Sequence, residues 1–498
     1  MYRKIVRAMN VKDEVKLVIL ALLSATLLGG IILIERSLKL KVPEIFIEVP
    51  YIPANIIVNT NNEFGPMPDI WRALAQGGEE PGVNMIAPTV DLVKRINPSY
   101  IRIDHIFDDA YYSVVKGRNG DGSLNLDFSK LDATVDDILK TGAKPFFSLT
   151  YMPSTIASSL IDVPGNWVDW QNLVLGTINH YSSRIDNVYY EVWNEPSLPS
   201  FGGWRMYGGK DYRQLYYYAI KGADQANPTY NFKIGGPAIP EMDSSWIELL
   251  FDYCLENNLR LDFISWHRYS LDPARFVEDV YEVNVLLDDP KYDRFLEVEK
   301  IITEYGPNSY KDSIYSTQTA VANLVAVTRR LLDKVNLLFT FEIKDGPEQG
   351  DSGWGLISHE SMGLKPKPRY YIYDWLTQMQ GQRVEVLGEG TRITGFAVKK
   401  DRTVSVVLTN YDSSSPLNES FQLTFAQLSG GKYRLSIQEL FNQATEEELD
   451  ISDASIVINL NLPVSSVVKL DLTKISNLEN EETLGFGTLF FNDDFDNF

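Results

Sequence analysis

The chain has 498 residues, 44% hydrophobic and 23% charged, which excludes wholesale disorder and collagen-like repeats and leaves room for one large barrel plus a smaller module. Its net charge of −21 argues against a nucleic-acid partner, because phosphate binding needs a basic stripe. One cysteine, Cys254, and four scattered histidines allow no internal disulfide, no thiolate zinc site and no HExxH pair, so neither a metal nor a cofactor is expected.

Residues 17–34, LVILALLSATLLGGIILI, carry no charge. As a helix they would span about 27 Å, close to the hydrocarbon thickness of a bilayer. Arg3, Lys4, Arg7, Lys12 and Lys16 precede the run, and Arg36, Lys39 and Lys41 follow it. The slight basic excess before the run predicts a cytoplasmic N-terminus and an extracytoplasmic remainder. A cleaved signal peptide is the competing reading, but no small-x-small site follows the apolar stretch. Residues 1–41 are therefore read as a cytoplasmic stub and a single-pass transmembrane anchor.

From residue 54 onward, short β-rich runs alternate with amphipathic helical patterns eight times. The strands read NIIVNT, YIRIDHI, KPFFSLT, NVYYEVW, FKIGG, LDFISWH, KIITEYG and LLFTFEI, and helical patterns fall at 128–141, 167–183, 211–227, 245–257 and 317–335. Near-continuous apolar strands alternating with helices indicate a parallel sheet covered on both faces. The expectation is a (β/α)8 TIM barrel over 53–381, with its active site at the C-terminal strand ends. Residues 382–474 change to two-residue alternation with turn clusters, the pattern of an antiparallel β-sandwich, to which 42–52 could add a strand. The stretch 475–498 is acidic and reads as a disordered tail.

Chemistry concentrates at two predicted strand ends. Strand four ends in Glu191-Val-Trp-Asn194-Glu195-Pro, and strand seven in Thr303-Glu304-Tyr-Gly306. Two carboxyls from separate strands facing one cleft suit glycosidic bond cleavage: one protonates the leaving oxygen, while the other attacks the anomeric carbon or activates water.

The ordered segments LNLDFSKLDATVDDILKTGAKPFFSLTYMPS, NWVDWQNLV, VYYEVWNEPSLPSF, KIGGPAIP, DFISWHRYS and IITEYG resemble the clan A glycoside hydrolases. Within that clan they are most similar to family 39, the group of β-xylosidases, α-L-iduronidases and exopolysaccharide-cleaving enzymes. The resemblance runs from about residue 100 to 375 and implies a retaining glycosidase. It implies Glu195 as acid/base, Glu304 as nucleophile and Asn194 as the contact to the sugar 2-hydroxyl. It implies Arg102 as support for the nucleophile, and His267 and Tyr269 as contacts to substrate and nucleophile. In those roles Arg102 should help keep Glu304 low in pKa, while the charge of Glu304 should raise Glu195. Trp354, in GDSGWG after strand eight, is a candidate sugar platform.

Two places depart from the family pattern. Where xylosidase-like members carry Arg-x-His-Gly, this chain reads Arg102-Ile103-Asp104-His105, so either Asp104 or His105 fills the histidine's place. After strand eight, TFEIKDGPEQ differs as well, and Glu342 and Lys344 could add a charged contact. The overall expectation is a membrane-anchored retaining glycosidase acting on an extracytoplasmic oligo- or polysaccharide. The rival readings are a carbohydrate-binding pseudoenzyme and a clan A glycosidase of another family, glucanase- or mannanase-like.

Overall fold

Eight parallel strands close into a barrel in the order Ala73–Gln76, Tyr100–Ile103, Lys144–Ser148, Val188–Glu191, Phe232–Ile239, Phe263–Tyr269, Glu299–Gly306 and Leu337–Phe341; they are called strands one to eight below. This computed structural model describes residues 51–347 and 353–477. The anchor expected over 17–34, residues 42–50 of the optional sandwich strand and the tail beyond 477 lie outside the described residues. Among the described residues no helix is long and apolar enough to cross a membrane.

Helices sheathe the barrel where the periodicity placed them, at Ser129–Thr141, Trp167–Ser182, Tyr212–Gln225, Ser244–Glu256 and Gln318–Leu331. Side chains of Asn166, Asp211, Asp243 and Asp272 accept hydrogen bonds from backbone N–H groups two residues on. Each cap satisfies an otherwise orphaned donor and fixes where its helix begins. The sixth helix, Pro273–Leu287, starts at such a cap and is followed by a 3-10 turn at Pro290–Phe295, where the sequence reads as a loop.

The barrel's first strand differs from expectation. NIIVNT does not enter the barrel; it forms Asn55–Pro66, a strand of the C-terminal sheet that pairs antiparallel with Gln382–Leu387 and parallel with Glu419–Ala426. Its alternation explains this: Ile56, Val58 and Thr60 are buried while their neighbours are more exposed, which suits a half-covered sheet. The true first strand is the four-residue ALAQ, opposite Phe339 and Phe341 of strand eight. Ala73 and Ala75 share the interior cluster with Phe146, Phe263, Phe339 and Phe341. Small residues there leave the volume that the phenylalanines fill.

The C-terminal module is a nine-stranded sheet whose strand order places Asn55–Pro66 between Gln382–Leu387 and Glu419–Ala426. Strands at both ends of that order, through Tyr433 and Leu435 on one side and Phe421 and Ile458 on the other, contribute to one apolar core. The sheet therefore curls on itself into a sandwich-like body, antiparallel except for the single parallel pair among its described strands. Its last strand runs to Ser476, two residues past the expected boundary. Phe396, Val398, Val407, Tyr411 and Val467 pack into the barrel's outer core, where Phe396 stacks on Trp71 with ring centroids 5.8 Å apart.

Because of this shared core, barrel and sandwich should unfold as one cooperative unit. Ile56 is fully buried in the sandwich, and Ile56→Ala should cost about 2–5 kcal/mol. Every tryptophan lies at or before residue 375, so tryptophan fluorescence reports the barrel. The Ile56→Ala unfolding midpoint should fall equally by fluorescence and by far-UV circular dichroism. A shift seen by circular dichroism alone would show the two bodies to be uncoupled.

Candidate active site

Strand two carries Arg102 into the barrel mouth, where the residue is 1% exposed. A buried cation needs partners on every face, and two other segments, at the ends of strands four and seven, supply them. Arg102 Nε donates to Glu191 Oε2 at 2.7 Å, Nη1 to Glu304 Oε1 at 2.8 Å and Nη2 to Asn194 Oδ1 at 2.6 Å. Strands two, four and seven thus meet on one planar group.

The segment after strand four is held in an uncommon backbone shape. Trp193 and Glu195 have positive φ, 77° and 42°, a conformation that costs non-glycine residues about 1–3 kcal/mol. Neighbours hold it there. Ser148 Oγ donates to Trp193 O at 2.9 Å, Trp193 Nε1 to Phe201 O at 2.8 Å, and Glu195 N to Ala238 O at 2.9 Å. The result aims Asn194 at Arg102 and brings Glu195 to the partly open side of the mouth.

On strand seven the register slips against strand six. Ile302 pairs with Trp266 and Glu304 with His267, so two residues oppose one step. A bulge of this kind re-aims a side chain, and here it sets Glu304 beside His267. Glu304 Oε2 accepts from the Tyr269 hydroxyl at 2.8 Å. His267 Nδ1 lies 2.9 Å from Glu195 Oε1 and 3.4 Å from Glu304 Oε2. A carboxylate oxygen of each glutamate and a ring nitrogen of His267 lie within 4.8 Å of one another. Those three groups are where a cation could be held, but Arg102, with its fixed charge 2.8 Å from Glu304, makes the position a poor one.

Electrostatics correct one expectation. Arg102 alone would hold Glu304 low. Burial instead pushes its carboxyl above the ordinary range, and the charge of Glu195 adds to this against the pull of His267 and Arg102. Arg102 is shared with Glu191, so its charge does not act on Glu304 only. Burial disfavours a charged His267, yet Glu304 and Glu195 outweigh it and raise its pKa.

The two candidates after strand two separate. His105 is committed to the wall: its Nδ1 is 3.0 Å from Asp108 Oδ2, and its ring centroid lies 4.2 Å from that of Tyr111. Asp104 lies through Oδ2 3.9 Å from His105 Nε2 and keeps a buried Oδ1 with no hydrogen-bond partner among the described residues. Glu342 and Lys344 are both fully buried but bond to different groups. Glu342 Oε2 accepts from Gln76 Nε2 at 3.0 Å, while Lys344 Nζ donates to both Glu360 oxygens at 2.7 Å. Burial pushes the Glu342 carboxyl well above the ordinary range. Trp354 stands half-buried at the rim, its ring centroid 5.7 Å from that of Phe341. Glu191 escapes a sequence reading as a functional group. The available signal is a charge inside the apolar strand VYYE, which burial obliges to find a cation.

A family model described as "Glycosyl hydrolases family 39" matches residues 55–341. A "Beta-xylosidase" of Caldicellulosiruptor saccharolyticus is 27% identical over 335 residues, covering 59% of this chain and 66% of that protein. A "Beta-xylosidase" of Geobacillus stearothermophilus is 25% identical over 321 residues, covering 57% and 61%. The chain thus spans just under two thirds of these relatives. The solved structure of a monomeric beta-xylosidase from Caulobacter crescentus CB15 superposes with a TM-score of 0.70 at 19% identity, covering 85% of this chain and all of that one. It supports the fold.

The Arg102 cluster yields a stability test. Arg102→Met strands two buried carboxyls and should cost about 3–5 kcal/mol in denaturant unfolding. Adding Glu191→Gln removes one stranded charge, so the double variant should be more stable than Arg102→Met alone. A double variant less stable than the single would show that Glu191 is not held by Arg102.

Proposed function

Because the chain belongs to glycosyl hydrolases family 39, we propose that it hydrolyses O-glycosidic bonds with retention of anomeric configuration. One observation carries the reading: carboxylate oxygens of Glu195 and Glu304 come within 4.8 Å at the barrel mouth. Retaining enzymes hold their carboxyls about 5–5.5 Å apart, whereas inverting ones leave about 6.5–9.5 Å for a water.

In the first step Glu304 attacks the anomeric carbon while Glu195 protonates the departing oxygen. In the second, Glu195 takes a proton from the water that releases the sugar. Arg102 and Tyr269 fix the two oxygens of Glu304, so attack needs no search for geometry. Asn194, held by Arg102, presents its amide nitrogen to the sugar. His267 bridges the two carboxyls and transmits a change of charge on one to the other. Asp104 supplies an acceptor for a sugar hydroxyl, and Trp354 an apolar face.

The relatives' names make β-xylosides the first substrates to assay. The uncharged run at 17–34 supports a further proposal, that the chain is membrane-anchored with its barrel outside the cytoplasm. Protease added to intact cells should then digest the barrel and spare the N-terminal stub. Protection of the whole chain would reject that topology.

Three measurements test the chemistry. The first-formed product should keep the substrate's anomeric configuration by NMR; an inverted product would overturn the mechanism. Glu195→Gln should lower kcat by about 10²–10⁴-fold on a poor leaving group and far less on an activated phenol. The third is the pH profile. Glu304 must be ionised to attack, and burial raises its carboxyl, so the acidic limb of kcat/KM should lie above the free-glutamate value of about 4.3. Glu191→Gln leaves more of the Arg102 charge to Glu304 and should move that limb to lower pH. A limb that stays in place would separate Glu191 from the nucleophile.

A further inference from the structure

A file of packed aromatic side chains, Tyr269, Phe341 and Trp354, leads from Glu304 to the rim of the barrel. Tyr269 bonds Glu304; its ring lies 6.4 Å from Phe341, and Phe341 lies 5.7 Å from Trp354. Trp354 Nε1 donates to Tyr310 O at 2.9 Å, and Tyr310, on the loop after strand seven, is 75% exposed. An exposed tyrosine is ordinary by itself, but the backbone carbonyl of this one holds the Trp354 indole, so Tyr310 belongs to the loop that borders the rim end of the file.

The path is rigid. Trp354 O accepts from Glu342 N at 3.1 Å and from Arg369. Tyr310 N donates to Asn308 Oδ1 at 3.0 Å, and Asn308 Nδ2 to Asp312 Oδ2 at 3.0 Å. Lys311 Nζ sits 5.4 Å over the Trp354 ring and 3.9 Å from Glu79 Oε2, a placed cation beside the indole. Aromatic faces with a few fixed polar groups are what sugar-binding clefts present.

Direction follows from the barrel. In the closed strand order, strand eight lies four places from strand four, diametrically across the mouth. Glu195 follows strand four and serves the leaving group; Phe341 ends strand eight. The file therefore runs away from the leaving group, on the glycone side of the bond that is cut. Resting on the glycosidase reading, we propose that Trp354 and Tyr310 form binding positions for further sugars on the non-reducing side of the cleaved bond. The enzyme then cuts within an oligosaccharide chain and does not only trim single terminal sugars.

The test compares 4-nitrophenyl monoglycosides with the matching disaccharide glycosides of the xylose, glucose and mannose β-series. Turnover of a monoglycoside tests the catalytic reading, and the ratio of kcat/KM between di- and monoglycoside tests the file. In the wild type that ratio should be about tenfold for the preferred sugar. Tyr310→Ala should bring it toward one, and Tyr310→Phe should restore it. Binding to Glu304→Gln, measured by calorimetry with mono- to tetrasaccharides of the three series, reads the file without turnover. Affinity that rises with length and is lost in Glu304→Gln/Tyr310→Ala supports it, even if no glycoside is cleaved. A ratio near one in the wild type, or no gain of affinity with length in any series, overturns it, even if monoglycosides are cleaved.

Discussion

The buried guanidinium of Arg102 is the constraint on which the mouth of the barrel depends. It is one charge with three partners, drawn from two segments of the chain distant from its own, and none can move without stranding another. Glu191 is acceptable in the interior because Arg102 is there, Glu304 because Arg102, His267 and Tyr269 are, and Arg102 because both carboxyls are. That mutual dependence turns strand ends into a fixed template, which is what an electrostatically preorganised site requires. The strained backbone at Trp193 and Glu195 belongs to the same template, since hydrogen bonds with strands three and five oppose its relaxation.

Much of this was legible in the sequence. Seven of the eight expected barrel strands enter the barrel, and Glu195, Glu304, Asn194, Arg102, His267 and Tyr269 converge. The two glutamates were legible because each closes an apolar strand of the barrel pattern, and Asn194, Arg102, His267 and Tyr269 because the segments that carry them resemble a known family. The first strand was not, for a physical reason: ALAQ is short and rich in alanine, so it carries no β signal of its own. NIIVNT carries a strong one and belongs elsewhere. The electrostatics of Glu304 were also hidden, because burial depends on what the whole fold places above a residue.

Barrel and sandwich differ in how they bury surface. The barrel strands are covered on both faces and read as apolar runs; the sandwich strands alternate. The sandwich lays its second face on the barrel, through Phe396 against Trp71 and through Arg329 paired with Glu389 at 2.6 Å. That docking steadies the outer wall behind strands seven and eight, where Glu304 and the base of the aromatic file are anchored.

The placement of Asn55–Pro66 between two late strands also sets a schedule for synthesis. The strand leaves the ribosome early, yet its partners at Gln382–Leu387 and Glu419–Ala426 come only after the whole barrel has been made. At about 5–20 residues per second, that is on the order of 20–70 s of waiting with both edges open. An apolar strand left unpaired so long would invite the wrong neighbour. This one breaks its apolar run with Asn59, Asn61, Asn62 and Glu63, polar groups that water can satisfy until the late strands arrive.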